Sequence, residues 1–395
     1  MDRTKIDRND RIRGSLVGGA IGDALGYPIE FARNIKERQV SKYLSDKGII
    51  SDDTQMTLFT ANALLWRETR AILKGIAPSY NNAIYLAYLD WLETQTGKKN
   101  EKPISWIKEV PELKEKRAPG NTCISALLSE KMGTFKEPIN YSKGCGTVMR
   151  IAPIGLSIPD PLAAGKIARE ASAITHGHQL GMIPSDFEAI FINILIHENL
   201  SLEESLEKAL KLYADNSSVY SKEFNDYFLQ LVNKAITLSK ENIQDTLAIK
   251  ELGEGWVAEE ALAIALYSCL KHQNSVIDTL ICAVNHDGDS DSTGAIAGNI
   301  IGAYLGYSSI DKYYIDHLEL KELILELADD LSYSLTDLFN QDLCDLLDEV
   351  YNGNRKYISE VQNNNIDFVH NHINHIHKAK SIVLDIESKI LIKRK

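Results

Sequence analysis

Three aspartates stand on alternating residues in the stretch HDGDSDST, which runs from His286 to Thr293. They are Asp287, Asp289 and Asp291, and an apolar, helix-like run, GAIAGNIIGAYLG, follows directly. One carboxylate is enough to cap a helix N-terminus, whereas several at one terminus repel each other unless a cation lies among them. Carboxylates interleaved with hydroxyls form an all-oxygen ligand set, which suits Mg²⁺, Mn²⁺ or Ca²⁺ better than zinc. The stretch therefore favours a hard-cation site over a simple cap.

Three other kinds of site share parts of this pattern. A calcium-binding EF-hand loop starting at Asp287 is excluded, because its sixth position requires Gly and is Ser292 here. The string DSDST matches the nucleophile motif of haloacid-dehalogenase-type phosphatases, although that motif belongs after a buried strand of an α/β fold. The pair His286-Asp287 is also found in helical HD phosphohydrolases, which require further histidine ligands such as His176. Both phosphohydrolase interpretations stay open as minor alternatives.

A second acidic motif, SDDT, spans Ser51 to Thr54 directly before a long amphipathic run. The simplest interpretation is helix capping, in which Ser51 or Asp52 accepts hydrogen bonds from the first backbone N–H groups. The helix dipole also favours carboxylates at this end. Capping and metal binding are both compatible with the motif taken alone.

Helical periodicity dominates the rest of the chain. The run from Thr54 to Leu73 carries apolar residues at spacings of three and four and contains neither Gly nor Pro. Similar amphipathic runs occur near residues 80–93, 185–213, 222–238, 257–284 and 320–350. Alternating patterns typical of strands are absent from these regions. The sequence therefore predicts an all-α fold.

Two of the predicted helices carry regularly spaced glycines. Four glycines fall four residues apart in each: Gly14, Gly18, Gly22 and Gly26, and Gly294, Gly298, Gly302 and Gly306. A glycine in a helix interior costs about 1 kcal/mol relative to alanine. Close approach of two helix backbones compensates for that cost, because only small residues permit it. We therefore predict two glycine-striped helices at the centre of the bundle, each with acidic residues near one end.

Composition excludes several classes of protein. The chain has 395 residues, 44% of them hydrophobic, and a formal net charge of −12, which argues against a dedicated nucleic-acid surface. No stretch reaches the length of uncharged apolar sequence that a membrane span requires. The N-terminal residues MDRTKIDRNDRIRG lack the apolar core of a signal peptide. The five cysteines are scattered and never in CxxC spacing, which argues against a disulfide framework. We expect a soluble cytoplasmic protein.

Less regular segments divide the chain. The segment 96–120 is polar and holds three prolines, so it is predicted to be a long connection. The segment YNGNRK at 351–356 resembles a boundary, and apolar residues recur near helical spacing beyond it. We predict one catalytic domain over residues 1–350 and a helical extension, with the histidine-rich stretch HNHINHIH, over residues 351–395.

Five motifs in a fixed order resemble those of the ADP-ribosylglycohydrolase family over about residues 10–350. They are GSLVGGAIGDALGYPIEF (14–31), SDDTQMT (51–57), GCGTVMRIAPIG (144–155), ITHGH (174–178) and NHDGDSDSTGAIAGNIIGAYLG (285–306). The resemblance implies a compact orthogonal bundle of helices with two Mg²⁺ or Mn²⁺ ions bound between two acidic clusters. It also implies hydrolysis of the bond between ADP-ribose and an acceptor such as arginine or serine.

The family pattern assigns roles to particular positions of this chain. The implied metal ligands are Ser51, Asp52, Asp53, Asp289, Asp291 and Ser292. The implied catalytic residues are Glu30, Asp53, Asp289 and Asp291, with an acid or base role for Glu30. The implied ADP-ribose-binding residues are Gly120, Asn121, Gly144, Cys145, Gly146, Thr147 and His176. Cys145 stands where many members have Asn, a change that preserves a backbone contact and removes a side-chain contact.

We therefore expect a metal-dependent hydrolase that removes mono-ADP-ribose from a protein side chain or a small acceptor, with an arginine-type N-glycosidic linkage favoured. ADP-ribose is the expected product, and neither nucleic acid nor membrane is an expected partner. One alternative is a non-catalytic relative that binds ADP-ribose or has a structural role, although both acidic clusters are retained. The other alternative is a metal-dependent phosphohydrolase.

Overall fold

The structure is a computed structural model that describes residues 6–31, 39–74 and 76–332. Within those residues it contains fifteen α-helices and no β-strand, which confirms the all-α prediction. The helices are α1 (Arg8–Gly26), α2 (Asp52–Lys74), α3 (Tyr80–Thr96), α4 (Asn121–Leu128), α5 (Ala152–Ser157), α6 (Pro161–Ala173), α7 (Gln179–His197), α8 (Leu202–Asn216), α9 (Lys222–Lys240), α10 (Asp245–Leu252), α11 (Ala258–Lys271), α12 (Val276–Val284), α13 (Ser290–Leu305), α14 (Lys312–Asp316) and α15 (Lys321–Ser332).

Helices α1 and α13 pack against each other along their glycine stripes. A Cβ atom added to Gly18 would lie 2.6 Å from the carbonyl oxygen of Gly298, and one added to Gly22 would lie 2.0 Å from that of Gly294. The pairing runs in opposite directions along the two helices, so they are antiparallel. The end of α1 that carries Asp23 therefore lies beside the beginning of α13. The predicted central pair of glycine-striped helices is confirmed.

Several further helices pack against this pair. Helices α11 and α12 pack on α13, and α15 packs on α1. Helix α7 is buried from Leu180 to Ile196 and packs against α5, α6 and α8. Among the described residues, α7 is the one helix that is both long enough and apolar enough to cross a membrane. However, 94% of that stretch is buried inside the fold. It packs as a core helix.

The described chain divides into two compact units. One comprises the described residues 6–31, 39–61 and 116–332, and the other comprises the described residues 62–74 and 76–115. The predicted extension over 351–395 and the end of the amphipathic run 320–350 lie outside the described residues. All the predicted site residues belong to the first unit.

The polar connection predicted after α3 is packed rather than extended. It begins where α3 ends and contains two short 3₁₀ helices. The buried carboxylate of Asp90 accepts hydrogen bonds from the backbone N–H groups of Ile104 and Ser105 at 2.8 and 2.7 Å. The side chain of Trp106 next to them is buried. A carboxylate inside α3 therefore folds this connection back onto the same unit.

Candidate active site

Asp23, buried near the end of α1, holds the beginning of α2. Its carboxylate accepts hydrogen bonds from the backbone N–H groups of Ser51 at 3.0 Å and Thr54 at 3.1 Å. It also accepts one from the Thr54 hydroxyl. The Ser51 hydroxyl oxygen in turn accepts from the backbone N–H of Asp53 at 3.2 Å. The capping interpretation is thus confirmed for Ser51, and Asp23 fixes the SDDT motif to the central helix pair.

The second acidic motif begins α13. Asp289 is its N-cap residue, and its carboxylate accepts from the backbone N–H of Ser292 at 3.3 Å. Asp291 Oδ1 accepts from the same N–H at 3.1 Å. The carboxylates of Asp289 and Asp291 share the Ser292 N–H as their donor. One capping residue is enough for that donor, so capping explains Asp289 and leaves Asp291 unexplained. All three residues are buried.

The loop before α13 is shaped by His286 and Gly288. The His286 ring nitrogen Nε2 lies 2.8 Å from the hydroxyl of Thr293, inside the fold. A Cβ atom on Gly288 would lie 2.0 Å from the carbonyl oxygen of Glu254, so this position has no room for a side chain. Asp287 is exposed. Of the three aspartates on alternating residues, only the last two point into the interior.

The two motifs and Glu30, which follows the short 3₁₀ turn after α1, form one acidic cluster, which comprises Glu30, Asp52, Asp53, Asp289 and Asp291. Carboxylate oxygens of Glu30, Asp289 and Asp291 lie within 4.8 Å of one another. Burial, together with the charges of neighbouring aspartates, raises the pKa of Glu30 and of Asp52 to about 8. The same causes raise the pKa of Asp53 and of Asp291 well above the ordinary range.

Two carboxylate oxygens of the acidic cluster have no hydrogen-bond partner among the described residues. They are Glu30 Oε2 and Asp53 Oδ2, and both are buried. A buried carboxylate oxygen without a donor indicates a site that accepts positive charge from outside the chain. The oxygens of the cluster are the donors that hard divalent cations prefer. The residues therefore fit the predicted metals, and the individual ligand assignments stay predictions.

The α4 N-terminus adjoins the acidic cluster. The backbone N–H of Gly120 donates to Asp52 Oδ2 at 3.1 Å. A Cβ atom on Gly120 would meet nothing closer than 3.9 Å, so its neighbourhood is open. Asn121, the first residue of α4, is exposed. Gly120 thus lies at the cluster, whereas no hydrogen bond joins Asn121 to it in the described part of the chain.

The glycine-bearing loop 144–147 also adjoins the cluster, because Cβ atoms on Gly146 and on Gly120 would both have Cys123 Sγ as their nearest neighbour. The backbone N–H of Cys145 donates to the carbonyl oxygen of Trp256 at 3.2 Å, and the Thr147 hydroxyl donates to that of Gly144. The Cys145 thiol points into the site and donates to Asp289 Oδ2 at 2.7 Å. The Cys145 amide is therefore used inside the fold, and its side chain contacts an acidic residue of the site.

His176 is buried behind this loop. Arg150, also buried, donates to the Thr175 hydroxyl oxygen at 2.6 Å, and that hydroxyl lies 2.8 Å from His176 Nδ1. The threonine proton is thereby directed at Nδ1, which leaves the imidazole proton on Nε2. Burial, with Arg150 nearby, lowers the pKa of His176 to about 3, so the ring is neutral. His178 instead caps α7, accepting from the Leu180 N–H at 3.0 Å.

Comparison with known proteins decides the family. The family model described as ADP-ribosylglycohydrolase matches residues 4–342. The chain belongs to the ADP-ribosylglycohydrolase family. The resemblance predicted from its five motifs is confirmed, and the protein is accordingly an enzyme that hydrolyses a glycosidic bond of ADP-ribose.

Relatives of this ADP-ribosylglycohydrolase span most of its length. It is 26% identical over 362 residues to ADP-ribosylhydrolase ARH3 of Danio rerio, a match that covers 83% of this chain and 90% of that protein. It is 24% identical over 330 residues to ADP-ribosylarginine hydrolase Tri1 of Serratia proteamaculans, covering 82% and 79%. A solved structure named ADP-ribosylglycohydrolase-related protein complex shares the fold, with a TM-score of 0.58 at 21% identity, and covers 82% of this chain and 98% of that one.

Three residues of this ADP-ribosylglycohydrolase were missed in the sequence. Asp23 is an acid inside an otherwise apolar, glycine-striped helix, and that position was a usable signal of a buried role. Phe31, the neighbour of Glu30, stacks on Trp256 with ring centroids 5.9 Å apart and an angle of 20° between the rings. No local pattern identifies this pair, because more than two hundred residues separate its members in the chain.

Proposed function

We propose that the protein is a metal-dependent ADP-ribosyl hydrolase that removes mono-ADP-ribose from a modified protein side chain or a small acceptor. An arginine-type N-glycosidic linkage is favoured, and two Mg²⁺ or Mn²⁺ ions are the proposed cofactors. The observation that carries the proposal is the acidic cluster, in which Glu30, Asp289 and Asp291 present oxygens within 4.8 Å of one another and two buried carboxylate oxygens lack a donor among the described residues.

The metal ions would be held by the two motifs that Asp23 and the glycine stripes bring together. Ser51, Asp52 and Asp53 at the start of α2, and Asp289, Asp291 and Ser292 at the start of α13, are the proposed ligands. When bound, divalent ions offset the repulsion among these carboxylates and lower the pKa of a coordinated water.

Glu30 is the residue best suited to move a proton. Its Oε2 atom is buried and has no partner among the described residues, and burial together with the neighbouring aspartates raises its pKa in the metal-free protein. Loss of the acceptor from ADP-ribose passes through an oxocarbenium-like state, which a neighbouring carboxyl assists by protonating the leaving atom. Glu30 would supply that proton or take one from the attacking water.

The ADP-ribose itself would lie between the α4 N-terminus and the loop 144–147. The space next to the Cα atom of Gly120 is open, because an added Cβ atom would have no neighbour closer than 3.9 Å. Gly146 has less room, since its Cβ atom would lie 3.3 Å from His176 Cε1. Because the Cys145 amide is already engaged, the amides of Gly146 and Thr147 are the proposed donors to the diphosphate. His176, neutral with its proton on Nε2, supports this loop from behind.

The acidic cluster does not indicate which linkage is cleaved, and support for the arginine linkage comes from a relative. The relative named ADP-ribosylarginine hydrolase Tri1 acts on that linkage by its name, and it matches 82% of this chain. The relative from Danio rerio carries a name that does not specify the acceptor. Arginine- and serine-linked substrates must therefore be compared directly.

The test measures release of free ADP-ribose from arginine-linked and serine-linked ADP-ribosylated peptides, in Mg²⁺, in Mn²⁺ and in EDTA. We expect metal-dependent release that is faster from the arginine linkage and absent in the Asp289→Ala/Asp291→Ala variant. The matched control is Asp287→Ala, which removes the exposed aspartate of the same loop and should retain metal-dependent release.

The two alternative functions give different results in this test. Tight binding of ADP-ribose without turnover of either linkage would favour the non-catalytic relative. Release of inorganic phosphate in place of ADP-ribose would favour a phosphohydrolase and overturn the proposal. Equal activity in EDTA would overturn the metal dependence alone.

A further inference from the structure

A second group of metal-ligating side chains lies apart from the acidic cluster. It comprises Asp245 at the start of α10, His272 directly after α11 and Cys282 within α12. One ligand atom from each lies within 4.8 Å of the other two. His272 Nε2 and Asp245 Oδ2 are 3.0 Å apart. The start of α10, the residue after α11 and a residue within α12 thus bring an oxygen, a nitrogen and a sulfur atom within 4.8 Å of one another.

We propose that Asp245, His272 and Cys282 form a binding site for a single zinc-like transition-metal ion. Thiolate, imidazole and carboxylate are the ligands that Zn²⁺ takes in proteins, with bonds of about 2.0–2.3 Å. A tetrahedron with such bonds places its ligand atoms about 3.3–3.8 Å apart. The observed separations need only small side-chain movements to reach that geometry. A water molecule would complete the four ligands.

Surrounding contacts hold the ligands in place. The Tyr267 hydroxyl donates to Asp245 Oδ1 at 2.7 Å, which leaves Oδ2 directed at His272. The His272 backbone is held at both sides, because its N–H donates to the Ser268 carbonyl and its carbonyl accepts from the Thr279 hydroxyl at 3.0 Å. Hydrogen-bonded partners of this kind orient metal ligands and contribute strongly to affinity.

The site is open on one side and apolar on the other. The side chains of Asp245 and His272 are 33% and 29% exposed, so an ion can enter from solvent. Cys282 is buried and packs with Ile249, Leu252 and other apolar residues. Its burial raises the pKa of the thiol, and a binding ion has to displace that proton. Affinity should therefore rise with pH.

This donor set differs from that of the acidic cluster, so the two sites select different ions. Sulfur and nitrogen ligands favour Zn²⁺ or Co²⁺, whereas carboxylate and hydroxyl oxygens favour Mg²⁺ or Mn²⁺. Helix α12, which carries Cys282, ends at Val284, just before the loop that leads into α13. An ion bound here would join α10, α11 and α12 and stabilise the helix that leads into the acidic loop.

The experiment uses the full chain with the Asp289→Ala/Asp291→Ala substitutions, which remove ligands of the acidic cluster. Co²⁺ is titrated into the EDTA-treated protein, and absorption from cobalt–thiolate charge transfer is recorded. We expect one equivalent of Co²⁺ to produce this band and Zn²⁺ to abolish it. Adding Cys282→Ser should remove the band and weaken Co²⁺ binding by more than about tenfold to a hundredfold, which is the loss typical of residues that only orient a metal ligand.

Two further variants keep the result interpretable. Cys145→Ser, at the thiol nearest the acidic cluster, should leave the band unchanged. His272→Gln should weaken Co²⁺ binding while the circular dichroism of the helices stays the same. Absence of a thiolate band, or loss of the band in Cys145→Ser in place of Cys282→Ser, would overturn the proposal.

Discussion

Gly22 of α1 and Gly294 of α13 meet backbone to backbone, each leaving room for the other's carbonyl group. A Cβ atom on Gly22 would lie 2.0 Å from the Gly294 oxygen, and a Cβ atom on Gly294 would lie 2.5 Å from the Gly22 oxygen. Asp23 follows Gly22 directly in the chain, and Asp291 stands three residues before Gly294. The contact of the two glycines therefore sets the distance between the acidic residues of the site.

Gly22→Ala should destabilise the protein despite the higher helix propensity of alanine. The added methyl group meets backbone atoms that cannot rotate away, so the two helices must separate. Overpacking of this kind costs about 1–3 kcal/mol or more. Urea denaturation should show a corresponding loss in the free energy of unfolding.

A matched substitution checks that the effect comes from the close contact. Gly120→Ala places a Cβ atom no closer than 3.9 Å to any neighbour, at a backbone angle that alanine accepts. It should change the free energy of unfolding by less than about 1 kcal/mol. Similar losses in Gly22→Ala and Gly120→Ala would contradict the importance of the glycine stripe.

Asp53→Asn should stabilise the metal-free protein while reducing its activity. In EDTA, the substitution removes one of several buried carboxylates that repel each other, which should raise the free energy of unfolding by about 0.5–2 kcal/mol. Adding Mg²⁺ should raise the free energy of unfolding of the natural protein, and it should raise that of the variant by less, because the variant has lost a metal ligand. ADP-ribose release should fall by at least about a hundredfold.

Thermal denaturation in EDTA and in Mg²⁺, together with initial rates, measures both effects of Asp53→Asn. Asp287→Asn is the control, because this aspartate is exposed and outside the acidic cluster. It should behave like the natural protein in both buffers. A variant Asp53→Asn that is less stable than the natural protein in EDTA would refute the repulsion account.

Glu188 in α7 makes the stability of the protein dependent on pH. It is fully buried, neither carboxylate oxygen has a hydrogen-bond partner among the described residues, and burial raises its pKa well above 4.5. Above pH 4.5 the unfolded chain loses this proton while the folded chain keeps it. Glu188 alone therefore lowers the free energy of unfolding by about 1.4 kcal/mol per pH unit, up to its folded pKa.

Glu188→Met should remove this dependence and raise stability at neutral pH. Urea denaturation at several pH values from about 5 to 7 measures the slope. Glu188→Gln should show the same change of slope but lower stability than Glu188→Met, since it keeps a buried polar group. An unchanged slope in both variants would show that Glu188 is ionised in the folded protein.

Trp256→Ala should lower kcat more than it changes KM, because the Phe31–Trp256 stack holds the chain next to Glu30. Aromatic pairs contribute about 0.5–1.5 kcal/mol, which corresponds to a roughly two- to tenfold loss of rate. Trp256→Phe keeps a stacking ring and should retain most of the activity. Steady-state kinetics on the preferred linkage distinguishes the two variants, and equal losses in both would argue against stacking.

Several site features could not be predicted from local sequence. The role of Asp23 depends on the antiparallel pairing of α1 with α13, and the Cys145 side chain meets Asp289 across 144 residues of chain. Asn121 follows Gly120 directly, yet only Gly120 contacts the acidic cluster. In each case neighbouring residues in the chain point in different directions, and the direction is set by distant packing.

The sequence by itself determined the all-α character, the two acidic motifs and the need for a glycine-lined contact. It did not show that the predicted runs 185–213 and 257–284 each divide into two helices, α7 and α8 in the first and α11 and α12 in the second. Helical periodicity, capping by short polar side chains and the cost of glycine in a helix are local properties of the residues. Only the tertiary structure decided that Asp53 and Asp291 share one cluster and that Asp287 stays outside it. The physical reason is that burial and mutual repulsion of carboxylates arise only when segments far apart in the chain pack against each other.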